Sequence, residues 1–208
     1  MKSLAILGAS GHGKVVAETA ELLGWSSICF FDDAYPKKHK HSKWQVLGNI
    51  SDLINDHKKY DGVHVAIGDN KTRQEKILSL KENGISNISI IHPTAVISPS
   101  SVIGTGTAVF ANVVVNAEVK IGEGAILNTS CSIDHDSVIG DYSHISPHVG
   151  VAGHIVLGQR SWLGIGSTVI QCITIGADTV IGAGSVVLQD IPAETIAVGV
   201  PCKVIRGS

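Results

Sequence analysis

Three ionisable residues stand in a row at Asp134, His135 and Asp136, in a stretch where Gly, Ser or Asn is the common residue at the bends. A histidine flanked by carboxylates is held in one tautomer and made more basic, as a general base working near neutral pH requires. Such a base suits acylation of an amine or a hydroxyl, because the acceptor must lose a proton as it attacks a thioester. The alternative is a surface His–Asp pair at a bend, worth little to stability. The run of three charges in an otherwise bland repeat favours the chemical reading. His144 follows nine residues after His135.

The second candidate lies near the start, in GASGHGK, where Gly8, Gly11 and Gly13 surround Ser10 and His12. Glycines let the backbone approach a ligand, and amides at a helix start receive phosphate oxygens. Asp32 and Asp33, at the end of the next strand, are placed to accept hydrogen bonds from a ribose or sugar hydroxyl. The pattern alone suggests a dinucleotide, but the unit lacks the second half that a dinucleotide occupies, so a smaller ligand such as a UDP-sugar fits better. The alternative is a tight strand-to-helix turn with no ligand. The basic run AYPKKHKHSKWQ reads as a solvated loop. His57, His64, His148 and His154 receive no role.

These residues need two kinds of scaffold. From Ile91 to Val187, Ile, Val or Leu recurs at every sixth position, 17 times without a slip. A period of six is that of hexapeptide β-helix repeats. Gly104, Gly122, Gly140, Gly158 and Gly176 recur every 18 residues, so three hexads make one coil. At strand spacing the five to six coils stand on the order of 27 Å tall, and each buries its inner face only against its neighbours. Residues 1–90 read instead as an α/β unit: strands at Ser3–Leu7, 28–31, 63–67 and 88–91, with helices after the first and third strands. The expected boundaries are 1–90 for this Rossmann-like βαβ domain and 91–208 for the repeat domain with its tail.

Composition narrows the partners. A formal net charge of −2 gives no basis for a nucleic-acid partner. Four widely spaced cysteines show no metal pattern and read as reduced thiols. The apolar run at the start is too short for a signal-peptide core, and no later run reaches membrane-spanning length. The expectation is a soluble, cytoplasmic protein without a metal.

Taken together, GASGHG, FFDD, AIGDN, LNTSCSIDHD and GVPCKVI resemble the bacterial nucleotide-sugar acetyltransferases of the bacillosamine type and the related sialic acid O-acetyltransferases. The resemblance spans both halves of the chain. It implies a left-handed parallel β-helix, an exception to right-handed crossovers, assembled as a homotrimer with active sites between subunits and acetyl-CoA in the intersubunit groove. By the same resemblance His135 is the general base and Asp136 its supporting carboxylate, where relatives carry Glu. His144 contacts the thioester region, and Gly153, Ile165 and Ala183 line the CoA groove, Ala183 standing where relatives carry glycine. Ser10, Gly11 and His12 hold the nucleotide-sugar, and Asp32 and Asp33 its uridine or ribose. The implied reaction is direct N-acetylation of a UDP-4-amino-4,6-dideoxy sugar. Two other readings stay open: an O-acetyltransferase acting on a sialic acid or other sugar hydroxyl, and a non-enzymatic trimeric nucleotide-sugar sensor.

Overall fold

The computed structural model describes residues 2–207. Residues up to Pro93 and residues from Thr94 onward form two compact units.

The first unit is an α/β fold around β1 (Ser3–Leu7), α1 (Gly11–Leu22), β2 (Ser27–Phe31), β3 (Lys40–His41), β4 (Trp44–Gly48), α2 (Ile50–Asp56), β5 (Gly62–Val65) and α3 (Asn70–Glu82). The sheet order is β3-β4-β2-β1-β5. Strand β1 pairs in parallel with β2 on one side and β5 on the other, and is buried along Leu4–Leu7 because both faces are covered. The chain therefore reverses its direction of progress across the sheet between β1 and β5, which opens a crevice at their carboxyl ends. Helix α2 begins with a reciprocal capping box between Asn49 and Asp52.

The second unit is a left-handed parallel β-helix. Two-residue strands from Val96–Ile97 to Val186–Val187 stack on three faces, each strand pairing with the one 18 residues away, as Val115 with Ile133 and Ile145 with Leu163. From Val109 to Val187 every branched rung residue is at most 3% exposed. The small slots four residues on are also buried, and their hydroxyls tie coils together: Ser143 Oγ donates to Gly158 O at 3.0 Å and Ser161 Oγ to Gly176 O at 2.7 Å. The glycine column is set by space. A Cβ at Gly104, Gly122, Gly140, Gly158 or Gly176 would come within 2.2–2.5 Å of the following coil. Many bends place one residue in the left-handed region, Asp136 at φ 58° and His154 at φ 57° among them.

Because the rungs have no other source of burial, Ile145→Ala, at a fully buried position, should cost about 2–5 kcal/mol. The exposed Thr174→Ala should stay within about 0.5 kcal/mol. Urea midpoints of the two variants check this.

Candidate active site

His135 and Asp136 form the bend after Ser132–Ile133. The 18-residue coil puts Ala117 under His135 and Gly153 over it, so small residues flank the ring on both sides. The upper contact is close: a Cβ on Gly153 would lie 2.7 Å from His135 Cε1 and 2.9 Å from Nε2.

The two carboxylates of the run have different partners. Asp136 Oδ2 meets His135 Nδ1 at 2.7 Å, while Asp134 Oδ1 accepts the His135 backbone N–H at 2.9 Å and Asn116 Nδ2 at 3.0 Å. Asp136 thus holds the ring and Asp134 holds the bend. The shorter aspartate side chain closes the contact in full, its backbone already turned by the positive φ. The hydrogen bond to Asp136, helped by the charges of Asp134 and Asp136, raises the His135 pKa above its ordinary value. The backbone bond from His135 lowers that of Asp134. With Nδ1 on Asp136, the half-exposed ring offers Nε2 as its proton acceptor.

One residue at this corner was passed over in the sequence. His154 lies 18 residues after Asp136 and places Nε2 3.7 Å from Asp136 Oδ2, its ring edge-on to His135 at 5.3 Å. The glycine period already marks this register. His135, Asp136 and His154 hold one potential metal-ligand atom each within 4.8 Å of one another. An ion bound there would occupy the His135 imidazole and prevent it from accepting a proton.

The other expected residues of this unit lie elsewhere on the prism. His144 sits on the face of Ala108, Ile126 and Trp162, half a coil from His135. It stacks on the part-exposed Trp162 at 5.9 Å with rings 11° apart, and Asn128 Nδ2 lies 3.3 Å from its Nε2. Ile165 and Ala183 occupy the next bend along, one coil apart. Only Gly153 of the expected groove residues joins His135 within one chain. Cys131, buried in a small slot, has its thiol pushed up to about 12 by burial, which leaves it inert as a nucleophile.

In the first unit, the crevice between β1 and β5 holds a cleft of about 280 Å³ lined by Leu7, Gly8, Ser10, Asp33, Ile67 and Lys76, among others. Gly8, at φ 112°, and Gly13, where a Cβ would meet Gly8 O at 2.3 Å, are required by the turn itself. Gly11 is not: a Cβ there would meet nothing within 4 Å, so its side of the turn is open. Ser10 is the N-cap of α1 without a side-chain cap bond, and His12 is half-buried. Asp32 serves the turn, accepting Ala9 N–H at 2.7 Å and Ala34 N–H at 3.0 Å. Asp33 instead pairs with Lys76 at 2.7 Å.

The basic run does not behave as the solvated loop expected of it. Lys38 Nζ donates to Ala9 O, and His41 Nε2 contacts Ser10 O at 2.8 Å from a buried site against Phe30. The glycine turn has carbonyls to satisfy, and this segment satisfies them. Arg73 does the same for the opposite wall, donating to Ile67 O, Gly68 O and Asn70 Oδ1. Burial pushes its pKa down to about 10, so it remains charged.

A parallel β-helix with a carboxylate-supported histidine at one corner, beside an α/β unit with an open glycine turn, defines a hexapeptide-repeat acyltransferase with a nucleotide-binding-type domain. Comparison with known proteins narrows this. The PglD N-terminal domain matches residues 3–80, and the bacterial transferase hexapeptide (six repeats) matches residues 154–189. PerB from Caulobacter crescentus, solved with CoA and GDP-perosamine, is 38% identical with a TM-score of 0.94, covering 99% of this chain and 98% of that one. The acetyltransferase domain of PglB from Neisseria gonorrhoeae, solved with acetyl coenzyme A, is 36% identical with a TM-score of 0.92, covering 98% and 99%. UDP-N-acetylbacillosamine N-acetyltransferase of Bacillus subtilis is 33% identical over 117 residues, 53% of this chain and 52% of that protein. The chain belongs to this family, the acetyl-CoA-dependent sugar N-acetyltransferases of the hexapeptide-repeat class. No helix among the described residues is long and apolar enough to cross a membrane.

The geometry sets a pH dependence. His135 accepts a proton only while neutral, so if it serves as the base, activity should fall as pH drops through its raised pKa, above the ordinary 6.5. Asp136→Asn removes the largest cause of the raise and should move the acid limb of the kcat/KM profile to lower pH while reducing the maximum. In Gly153→Ala the added methyl should displace the His135 ring, lowering kcat up to about 10²-fold without lowering the melting temperature. Rate profiles and thermal melts of both variants check this.

Proposed function

We propose that the protein transfers the acetyl group of acetyl-CoA to the 4-amino group of a nucleotide-linked 4-amino-4,6-dideoxy sugar in the cytoplasm, with His135 as general base. The observation that carries this reading is the 2.7 Å contact from Asp136 to His135 Nδ1, which leaves Nε2 to take a proton at an exposed corner. The relatives act on perosamine or bacillosamine nucleotides by name, which supports an amino-sugar acceptor.

The amine attacks the thioester carbonyl, forming the N–C bond and passing a proton to His135 Nε2. The C–S bond then breaks, and the thiolate of CoA leaves and is protonated. Asp136 stabilises the imidazolium formed in between. No covalent enzyme intermediate is needed, consistent with the inert Cys131 thiol. Much of the acceleration comes from holding amine and thioester together, and backbone amides at the bends are suited to stabilise the developing oxyanion. In the first unit the open side of the turn at Gly11, with the amides of α1, suits the diphosphate, and Ser10 and His12 stand beside it.

The working assembly in this reading is a homotrimer. His144 lies on the face opposite the His135 corner, so the two can approach one thioester only from different chains. Ile165 and Ala183, on the bend beyond His144, belong to the same neighbouring surface. Light scattering should give three times the chain mass.

His135→Ala should lower turnover about 10²–10⁴-fold, read as thiol release from acetyl-CoA with a nucleotide 4-amino sugar as acceptor. Near-normal turnover in that variant would remove His135 from the role. Mass analysis of products from amine and hydroxyl acceptors distinguishes N- from O-acetylation, and thiol release of any kind excludes a pure sensor.

A further inference from the structure

The cleft of the first unit bears on which nucleotide carries the sugar. This inference rests on the nucleotide-sugar reading above and deepens it. The cleft, at about 280 Å³, is below the range of roughly 300–1,000 Å³ typical of sites that engulf a whole ligand, and matches one ring system with its attachment. Leu7 and Ile67 are the apolar side chains of its lining. The open turn at Gly11 and the amides of α1 suit phosphates, which leaves the cleft for the nucleoside end.

Most polar groups around it are already engaged. Both oxygens of Asp32 accept backbone amides, and Thr72 donates its hydroxyl to Asp69 at 2.7 Å. Asp33 and Lys76 are paired with each other on the cleft wall, Oδ2 and Nζ 2.7 Å apart, and the pair keeps Asp33 Oδ1 and further ammonium hydrogens for a ligand. Asp33 is 59% exposed and Lys76 23%, so the carboxylate is presented while the ammonium is held against the wall. A ligand therefore meets a two-oxygen acceptor with a cationic donor directly beside it.

Base edges differ in how well they answer that pattern. Guanine presents two adjacent N–H donors followed by a carbonyl oxygen, so the carboxylate takes both donors and the ammonium takes the oxygen. Adenine offers one donor and one acceptor and makes two of those three bonds. Uracil presents one N–H between two carbonyls, so a carboxylate that takes the N–H sets its second oxygen against a carbonyl oxygen. That is repulsion built against the wrong base. We propose that the Asp33–Lys76 pair reads the nucleobase, and that the acceptor sugar is carried on guanosine diphosphate rather than on the uridine diphosphate expected from the sequence.

The test is direct binding to the full-length wild-type chain and to Asp33→Asn and Lys76→Met, by titration calorimetry with GDP, UDP and ADP. The wild type should bind GDP at least tenfold more tightly than UDP, with ADP between them. Each substitution should weaken GDP by about 10–100-fold, the scale of a lost bidentate base contact, while neither weakens UDP and Asp33→Asn, which removes the repulsion, tightens it. Equal or tighter UDP binding overturns the proposal, as does the absence of nucleotide binding. A loss of GDP and UDP affinity in equal measure also overturns it, because that result assigns Asp33 to the ribose common to both. Thermal melts exclude unfolding as the cause. Acetyl transfer to GDP- and UDP-linked amino sugars, measured alongside, keeps two failures apart: transfer that prefers the uridine substrate defeats the base assignment alone, and no transfer to either defeats the functional reading.

Discussion

Stacking of one coil on the next at strand spacing is the constraint on which the second unit depends. Parallel pairing every 18 residues leaves no room for a Cβ where the glycine column meets the backbone above, and none to spare at Gly153 over the His135 ring. The same spacing that excludes side chains at one corner aligns them at another. His154 lies over Asp136, and Asp134 lies over Asn116, because each pair is one coil apart. The chemistry is not added to a finished scaffold. A histidine in a bend of this prism is oriented by what the coils below and above allow, here Ala117 and Gly153, and by the left-handed backbone that turns Asp136 toward Nδ1.

The first unit solves a similar problem with fewer repeats. Its glycine turn exposes backbone groups that need partners if the turn is to keep one shape. Asp32 takes the amide of Ala9, Lys38 and His41 take the carbonyls of Ala9 and Ser10, and Arg73 takes the carbonyls of Ile67 and Gly68 on the facing wall. Both rims of the crevice are thus fixed before any ligand arrives, and the Asp33–Lys76 pair is left lining the cleft. Preorganisation of this kind reduces the ordering cost of binding.

What could be read from the chain depended on how far each signal reaches along it. The rung residues carry a strict period, so the prism, its 18-residue coil and the odd bend at His135 were all legible in one dimension. The place of His154 over Asp136 follows from the same period, yet its residue type looks ordinary at a bend, where exposed polar side chains are common. Residues 36–48 were harder for a different reason. Their lysines and histidines mask the alternation of buried Trp44 and Val46 with exposed Gln45 and Leu47, so β4 and the contacts of Lys38 and His41 were missed. Those contacts span 29 and 31 residues and have no period to announce them. Lys76 and Arg73 lie on a helix whose polar face reads as solvated, although Arg73 is buried and Lys76 is drawn to Asp33 across 43 residues.

A triangular prism has a further consequence for chemistry at its surface. Half a coil separates the His135 corner from the face that carries His144 stacked on Trp162, so the two point away from one another. Neither is complete as a site for a long, flexible thioester. One carries the His135 imidazole held by Asp136, and the other the His144 imidazole stacked on Trp162. A neighbouring chain that presents this face to the His135 corner forms a head-to-tail contact, and rotation repeats that contact at every subunit. Heterologous contacts either run on as filaments or close into rings. In the proposed homotrimer the contact closes after three copies, and each site would combine the His135 corner of one chain with the His144 face of the next.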